Sequence, residues 1–95
     1  MLQYKAGYKF VDGGVHAQVV DFPAAITCAD DLDQARRLLA LALLDVAEVA
    51  VETGRPLPVP NPLSTNAEMD LEEPIYLHLH VSSNVQHVPS GVVVP

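Results

Sequence analysis

The sequence is short of cysteine and of aromatic residues, and each shortage excludes a class of protein. Cys28 is the only cysteine in 95 residues, so no disulfide can form within the chain. Aromatic residues make up 5% and tryptophan is absent, so the core has to be built from aliphatic side chains. With one cysteine and no apolar leader at the N-terminus, we expect a reducing, cytoplasmic setting and a buried Cys28.

Basic residues and long apolar runs are also scarce. The longest apolar run, residues 38–44, is too short for a bilayer, so we expect no membrane insertion. Five basic residues against 12 acidic ones give a formal net charge of -7. This charge repels phosphate and therefore argues against direct nucleic-acid binding, whereas it attracts a basic protein partner. An acidic surface that only keeps the chain soluble is the alternative.

Ninety-five residues fit one folded domain, which we predict to span residues 1–82 with a C-terminal tail at 83–95. Period-two alternation predicts a strand over residues 4–11 and a second one from Val15 that ends before Pro23. Gly13 and Gly14 form the turn between these two strands. A third strand is predicted over residues 24–29.

A long helix follows. Asp31 is placed to cap it, with Gln34 at capping-box spacing, so the helix begins at Leu32 and runs to Thr53. Gly54 suits the left-handed residue after a helix, and the proline-rich residues 54–62 form an extended strap. Residues 63–73 are predicted to form an acidic loop, and residues 75–81 are predicted to form a last strand. The fold class is α+β, in the order β-β-β-α-β, with the helix packed on one face of a small antiparallel sheet.

The helix carries more leucine than one sheet can cover. Leu38, Leu41 and Leu44 fall among or beside the charges of its solvent side, so we predict a homo-oligomer, a dimer or tetramer, through this patch. Alternatively, residues 55–63 fold back over Leu41 and Leu44. Tyr76, His78 and His80 share one side of the last strand and are expected to form a wetter face of the sheet or a subunit contact.

Catalytic chemistry is weakly represented. No Ser-His-acid or Cys-His arrangement stands out, and no cofactor motif or metal site is predicted. Two enzymatic alternatives remain: a metal-dependent hydrolase or nuclease that uses Asp21 with other carboxylates, and a zinc site on His16, His78 and His80. The second alternative requires the second and the last strands to be near neighbours.

Residues 13–35, GGVHAQVVDFPAAITCADDLDQA, resemble the signature of the HicB-like antitoxin family. The order is a Gly-Gly hairpin, a strand, an Asp-hydrophobe-Pro turn at residues 21–24, a short strand and an acidic helix cap. The proline-rich exit from the helix is similar too, so the resemblance covers about residues 4–62 and the last strand. Ala24 and Ala29 stand where the family has glycine, which suggests slightly different turns.

The resemblance implies a partial ribonuclease H-like fold that lacks the catalytic carboxylates, and hence no enzyme activity. It also implies neutralisation of a small basic RNA-cleaving toxin of the HicA type. Many relatives add a DNA-binding domain, whereas this sequence resembles a stand-alone HicB-like domain. A purely oligomeric structural domain is the remaining alternative.

Overall fold

The computed structural model describes residues 1–79. It contains strands β1 (Leu2–Val11), β2 (Gly14–Val19) and β3 (Phe22–Ala29), helix α1 (Leu32–Glu52) and strand β4 (Leu71–Leu77). The four strands form one sheet in the order β3-β2-β1-β4, and every neighbouring pair is antiparallel. This confirms the predicted α+β class and the element order β-β-β-α-β.

The two glycines of the first hairpin have different roles. Gly13 has φ 81, a left-handed conformation that a residue with a Cβ adopts at a cost. Gly14 is the first residue of β2, and a Cβ added there would lie 2.5 Å from the carbonyl oxygen of Ala29. The turn therefore needs the first glycine for its backbone angle, and the sheet needs the second one for space.

Two strand boundaries differ from the prediction. β3 begins at Phe22, so Pro23 lies inside that strand and does not merely end the one before it. An edge strand accepts proline near its start, and the pairing of β2 with β3 is irregular at Gln18 and Val19. β4 begins at Leu71, so the predicted acidic loop over 63–73 was wrong at its end. His80 and Val81, which we assigned to this strand, lie outside the described residues.

Both ends of the helix follow local side-chain chemistry. Asp31 is the N-cap, and its Oδ1 accepts from the Gln34 N–H at 2.8 Å, while Oε1 of Gln34 accepts from the Asp30 N–H at 2.8 Å. Gly54 follows the C-cap with φ 73 and donates to the carbonyl of Val51. Arg55 donates to Ala50, which completes a Schellman motif.

The core lies between α1 and one face of the sheet. Leucines and alanines at helical spacing supply the helix side, and small or aromatic residues supply the sheet side. Alanine lets the helix approach closely, and Leu39 and Leu43 then fill the space between the layers. The buried core residues are Tyr4, Ala6, Tyr8, Val15, Ala17, Val19, Phe22, Ala25, Ala35, Leu39, Leu43, Ala47, Ile75 and Leu77.

The layered core predicts unequal effects for two leucines of the same helix. Leu43 is 1% exposed and Leu41 is 59% exposed. We expect Leu43→Ala to lower the free energy of unfolding by about 2–5 kcal/mol, since it leaves a cavity. The matched control Leu41→Ala should change it by less than about 0.5 kcal/mol. Urea denaturation at low protein concentration measures both, and equal losses would contradict the assignment of the core.

Candidate protein-binding surfaces

The sheet has one face under the helix and one open face. Residues paired across antiparallel strands point to the same side, so the side opposite the core can be read from the strand register. The connection between α1 and β4 crosses part of this open face, because the side chain of Met69 lies against Gly7. The open face carries Gln3, Lys5, Lys9, His16, Gln18, Ile26, Cys28, Pro74 and Tyr76.

Cys28 is exposed, so its predicted burial was wrong. It is paired with His16 and shares the open face with it, while Thr27 and Ala29 point toward the helix. The apolar run around Cys28 belongs to a strand whose alternate residues face away from the core. A short apolar sequence cannot distinguish that arrangement from full burial.

The three leucines outside the predicted core are not equivalent. Leu41 is 59% exposed and Leu38 is 37% exposed, whereas Leu44 is partly buried and packs against the core. Val49 and Val51 are also exposed, at 53% and 44%, and the sequence interpretation missed them. They lie on the two flanks of the helix, which extends the apolar surface beyond the leucines.

The strap does not cover Leu41, so that alternative was wrong. It leaves the helix toward the sheet, where the Tyr4 hydroxyl donates to the carbonyl of Pro58 at 2.6 Å. The Asn61 N–H donates to Oδ2 of Asp21 at 2.8 Å. Further on, Nζ of Lys5 donates to the carbonyl of Ser64 at 2.5 Å. Burial and the nearby Asp21 raise the pKa of Tyr4.

The structure separates the residues of both enzymatic alternatives. His16 lies opposite Lys9, whereas His78 follows the end of β4, beside Leu2 at the other end of β1. The zinc alternative required these two strands to be near neighbours, and the structure does not bring His16 and His78 together. Asp21 lies at the turn between β2 and β3 and holds the strap, away from the carboxylates at the start of the helix. In residues 1–79, no three His, Cys, Asp or Glu side chains form a group that could hold a metal.

A charged network joins the helix to the edge strand β4. Nε and Nη2 of Arg36 donate to the two carboxylate oxygens of Glu73, each at 2.9 Å. The hydroxyl of Tyr8 donates to Oε2 of Glu73 at 3.1 Å. The bond from Arg36 lowers the pKa of Glu73, and burial, followed by the charge of Glu73, raises the pKa of Tyr8 to about 12. The network is a structural tie, because each of its polar groups has a partner.

Four carboxylates gather at one end of the sheet, and two of them have no such tie. Asp12 lies in the first hairpin turn and Asp30 directly after β3, and both line an open cleft of about 260 Å³ with His16 and Cys28. Among the described contacts neither carboxylate takes part in a hydrogen bond or salt bridge. Asp31 and Asp33 begin the helix beside them. We call these four residues the acidic end.

The fold defined here is a four-stranded antiparallel sheet with one long helix on one face, in the order β-β-β-α-β. A solved structure of this class is the N-terminal domain of the Burkholderia pseudomallei antitoxin HicB. It aligns with a TM-score of 0.67 at 17% identity, over 82% of this chain and 100% of that one. The chain therefore has the fold of the HicB N-terminal domain, as the resemblance implied.

No protein-family model and no curated protein sequence matches the chain. The likeness therefore rests on the fold. In residues 1–79, no helix combines the length and the apolar content that a bilayer crossing requires.

The tie between Arg36 and Glu73 predicts a pH-dependent contribution to stability. Glu73 has a lowered pKa, so its contribution is present above its ordinary value of 4.5 and is lost as the pH falls through the lower folded value. We expect Glu73→Gln to lower the free energy of unfolding by about 1 kcal/mol at pH 7, allowing for solvent screening. The difference from the unmodified protein should shrink as the pH falls below the ordinary value.

Urea denaturation between pH 7 and pH 3 measures this effect. Glu68→Gln is the matched control, since Glu68 is exposed and its carboxylate has no described partner. A loss that is independent of pH in the Glu73 variant would show that the tie does not act through the carboxylate charge.

Proposed function

We propose that this chain is a HicB-like, non-catalytic protein-binding domain that neutralises a small basic RNA-cleaving toxin by covering its surface. The observation that carries the proposal is the shared fold, which spans the entire N-terminal antitoxin domain of the solved structure. The net charge of -7 supports it, because a positive RNA-binding surface is attracted to an acidic partner. In the cell, the cytoplasm is where such a toxin would meet RNA.

The acidic end is the surface we assign to the basic partner. Asp12 and Asp30 are exposed, and no described hydrogen bond or salt bridge uses their carboxylates, so both charges are available. Asp33 keeps 82% of its side chain exposed despite its contact with Arg36. Asp12 and Asp30 line an open cleft, which gives lysine or arginine side chains a concave place to bind. By contrast, Glu72 and Glu73 are held within the fold.

Self-association is the second part of the proposal. Leu38 and Leu41 leave apolar surface on the helix, and Tyr76 leaves half of its side chain exposed on the open face. We propose that these residues, with the neighbouring Leu44, His78 and His80, contribute contacts within a homo-oligomer or with the partner. We retain residues 1–82 as the binding domain and 83–95 as its tail. A purely oligomeric domain would share these contacts but would need no acidic end.

A binding role accounts for the carboxylates better than hydrolysis does. Two-metal hydrolysis needs several carboxylates within a few ångströms of one another. Here Asp21 is hydrogen-bonded to the strap and Asp31 caps the helix, so both have structural partners. Asp12 and Asp30 line an open cleft instead of meeting at one point, which suits contact with a protein surface.

Charge reversal at the acidic end tests this function. The chain and the small basic protein encoded by the neighbouring gene are co-expressed, and we expect co-purification and rescue of growth. Asp12→Lys with Asp30→Lys should weaken the complex at least tenfold and abolish rescue, since it turns attraction into repulsion. The affinity should also fall with rising salt.

The matched control is Glu48→Lys with Glu52→Lys on the outer side of the helix, which changes the net charge equally. This pair should retain most of the affinity. Equal losses of affinity in the two double variants would indicate a general effect of net charge. They would contradict the assignment of the acidic end as the specific binding surface. Failure to capture the neighbouring gene product would count against the antitoxin role.

A further inference from the structure

The two edges of the sheet are protected to different degrees. β4 carries Glu72, Glu73 and a central Pro74, the residue types that discourage pairing with another chain. β3 has Pro23 near its start, but no charged residue from Phe22 to Ala29. Within residues 1–79, no strand pairs with the outer side of β3. β3 is therefore the edge at which a further strand can add.

The register shows which backbone groups this edge presents. The Val20 N–H donates to the carbonyl of Lys5 at 2.9 Å, so these two residues form a hydrogen-bonded pair. Such pairs recur at every second residue of an antiparallel ladder, so Gln18 and His16 of β2 also bond to β1. The intervening residues of β2 bond to Thr27 and Ala29 in β3. The N–H and C=O groups of Ile26 and Cys28 consequently point outward.

One flank of the helix lies above the same edge. α1 packs chiefly on β3 and less on β2. Val49 lines a cleft of about 350 Å³ together with Phe22, Ala24 and Pro56, which places Val49 on the β3 side. Ala42 and Leu38 lie on that flank too, at spacings of seven and eleven residues from Val49, respectively. Asp45 and Arg55, of opposite charge, line the cleft as well.

We propose that two copies of this chain pair antiparallel through β3, forming a continuous eight-stranded sheet with their helices side by side on one face. A two-fold axis at Ile26 pairs this residue with itself and Ala24 with Cys28 of the second copy. All the outward groups identified above then find partners. The proposal deepens the self-association proposed above and does not depend on a basic partner.

A second copy of this chain fits both the open edge of β3 and the exposed flank of the helix. Strands lie about 4.8 Å apart, and a helix above β3 and β2 is about one strand spacing from the new junction. Its symmetry mate therefore runs about 10 Å away, which is the distance at which helices pack. The exposed flank with Leu38 and Val49 then faces the equivalent flank, as a two-fold interface requires.

The net charge of the chain and the area of the interface both favour a second copy as the partner of β3. The chain has a net charge of -7, so two copies repel unless they meet where carboxylates are sparse, and β3 has none. A strip about 27 Å long and roughly 18 Å high buries on the order of 1,000 Å² over both copies. This area is at the lower limit for a specific interface, so we expect a dimer that dissociates on dilution.

The first experiment measures mass against concentration for the full chain by sedimentation. We expect a monomer–dimer equilibrium, which Ile26→Pro weakens at least tenfold, because it removes an outward N–H and leaves the bonds to β2 intact. Ile26→Lys, which retains the N–H but places two like charges at the axis, should weaken the dimer similarly. Circular dichroism verifies that both variants are folded.

A crosslink gives the complementary positive test. In a Cys28→Ser background, Ile26→Cys should give a covalent dimer on mild oxidation, since the paired residues lie about 5.5 Å apart. Lys9→Cys in the same background is the matched control, because Lys9 is exposed on β1, a strand that already has a neighbour on each side. Crosslinking only through the control would overturn the proposal.

Three outcomes distinguish pairing through β3 from self-association by another surface and from coverage of β3 by the tail of the same chain. A dimer that survives both Ile26 substitutions keeps self-association but overturns pairing through β3. A monomer at every concentration overturns both, and leaves the test of toxin binding unaffected. Amide exchange identifies another occupant: if the Ile26 and Cys28 amides are protected in the dilute monomer, the chain's own tail covers β3, and the proposal fails.

Discussion

The structure depends on the burial of a single helix against a single sheet. Leu39 and Leu43 are almost completely enclosed, and the alanines around them let the helix lie close to Tyr8 and Val19. Within residues 1–79 the helix is the one layer packed on the sheet, and it covers one face. In this part of the chain, the surfaces available for recognition are the open face, the edges of the sheet and the outer sides of the helix.

Polar contacts position β4 and the strap, which the helix itself contacts little. β4 lies farthest from the helix's main contacts, and the tie from Arg36 to Glu73 connects the two. The strap is held by Tyr4 and Asp21, which connect it to β1 and to the turn between β2 and β3. Neither set of contacts contributes much by itself, since a surface ion pair or a single hydrogen bond stabilises a fold by about 1 kcal/mol. Their effect is to set the position of segments that follow the helix.

Local signals made the helix and the first hairpin predictable. Asp31, Gln34 and Gly54 determine where the helix begins and ends through hydrogen bonds to backbone only a few residues away. The order of helix and strands along the chain was predictable from periodicity and from the family resemblance. The start of β4 was missed because the acidic Glu72 and Glu73 resemble a loop sequence. In the structure Asn66 binds Glu72, and Arg36, 37 residues from Glu73 in sequence, binds Glu73.

The candidate surfaces were harder to predict, since they depend on which strand lies at an edge. Cys28 seemed buried because nothing in an apolar run shows that half of its residues face outward. His16 and His78 could meet only if their strands were near neighbours, and β1 separates these strands. Asp21 lacked a local role because its partner, Asn61, lies 40 residues away. Long-range pairing decides each of these cases, and a single sequence contains little information about it.

Partner binding and self-association are compatible because they are centred at different positions along β3, although Cys28 borders both surfaces. Asp30 directly follows β3, so in an antiparallel pair the acidic ends lie at the two extremes of the joined strands. Four residues separate Asp30 from the axis at Ile26, and strand rise puts the two acidic ends about 27 Å apart. Their mutual repulsion is screened at that distance. A dimer of this kind presents two equivalent acidic clefts, and linkage of two sites strengthens the capture of any partner that is itself paired.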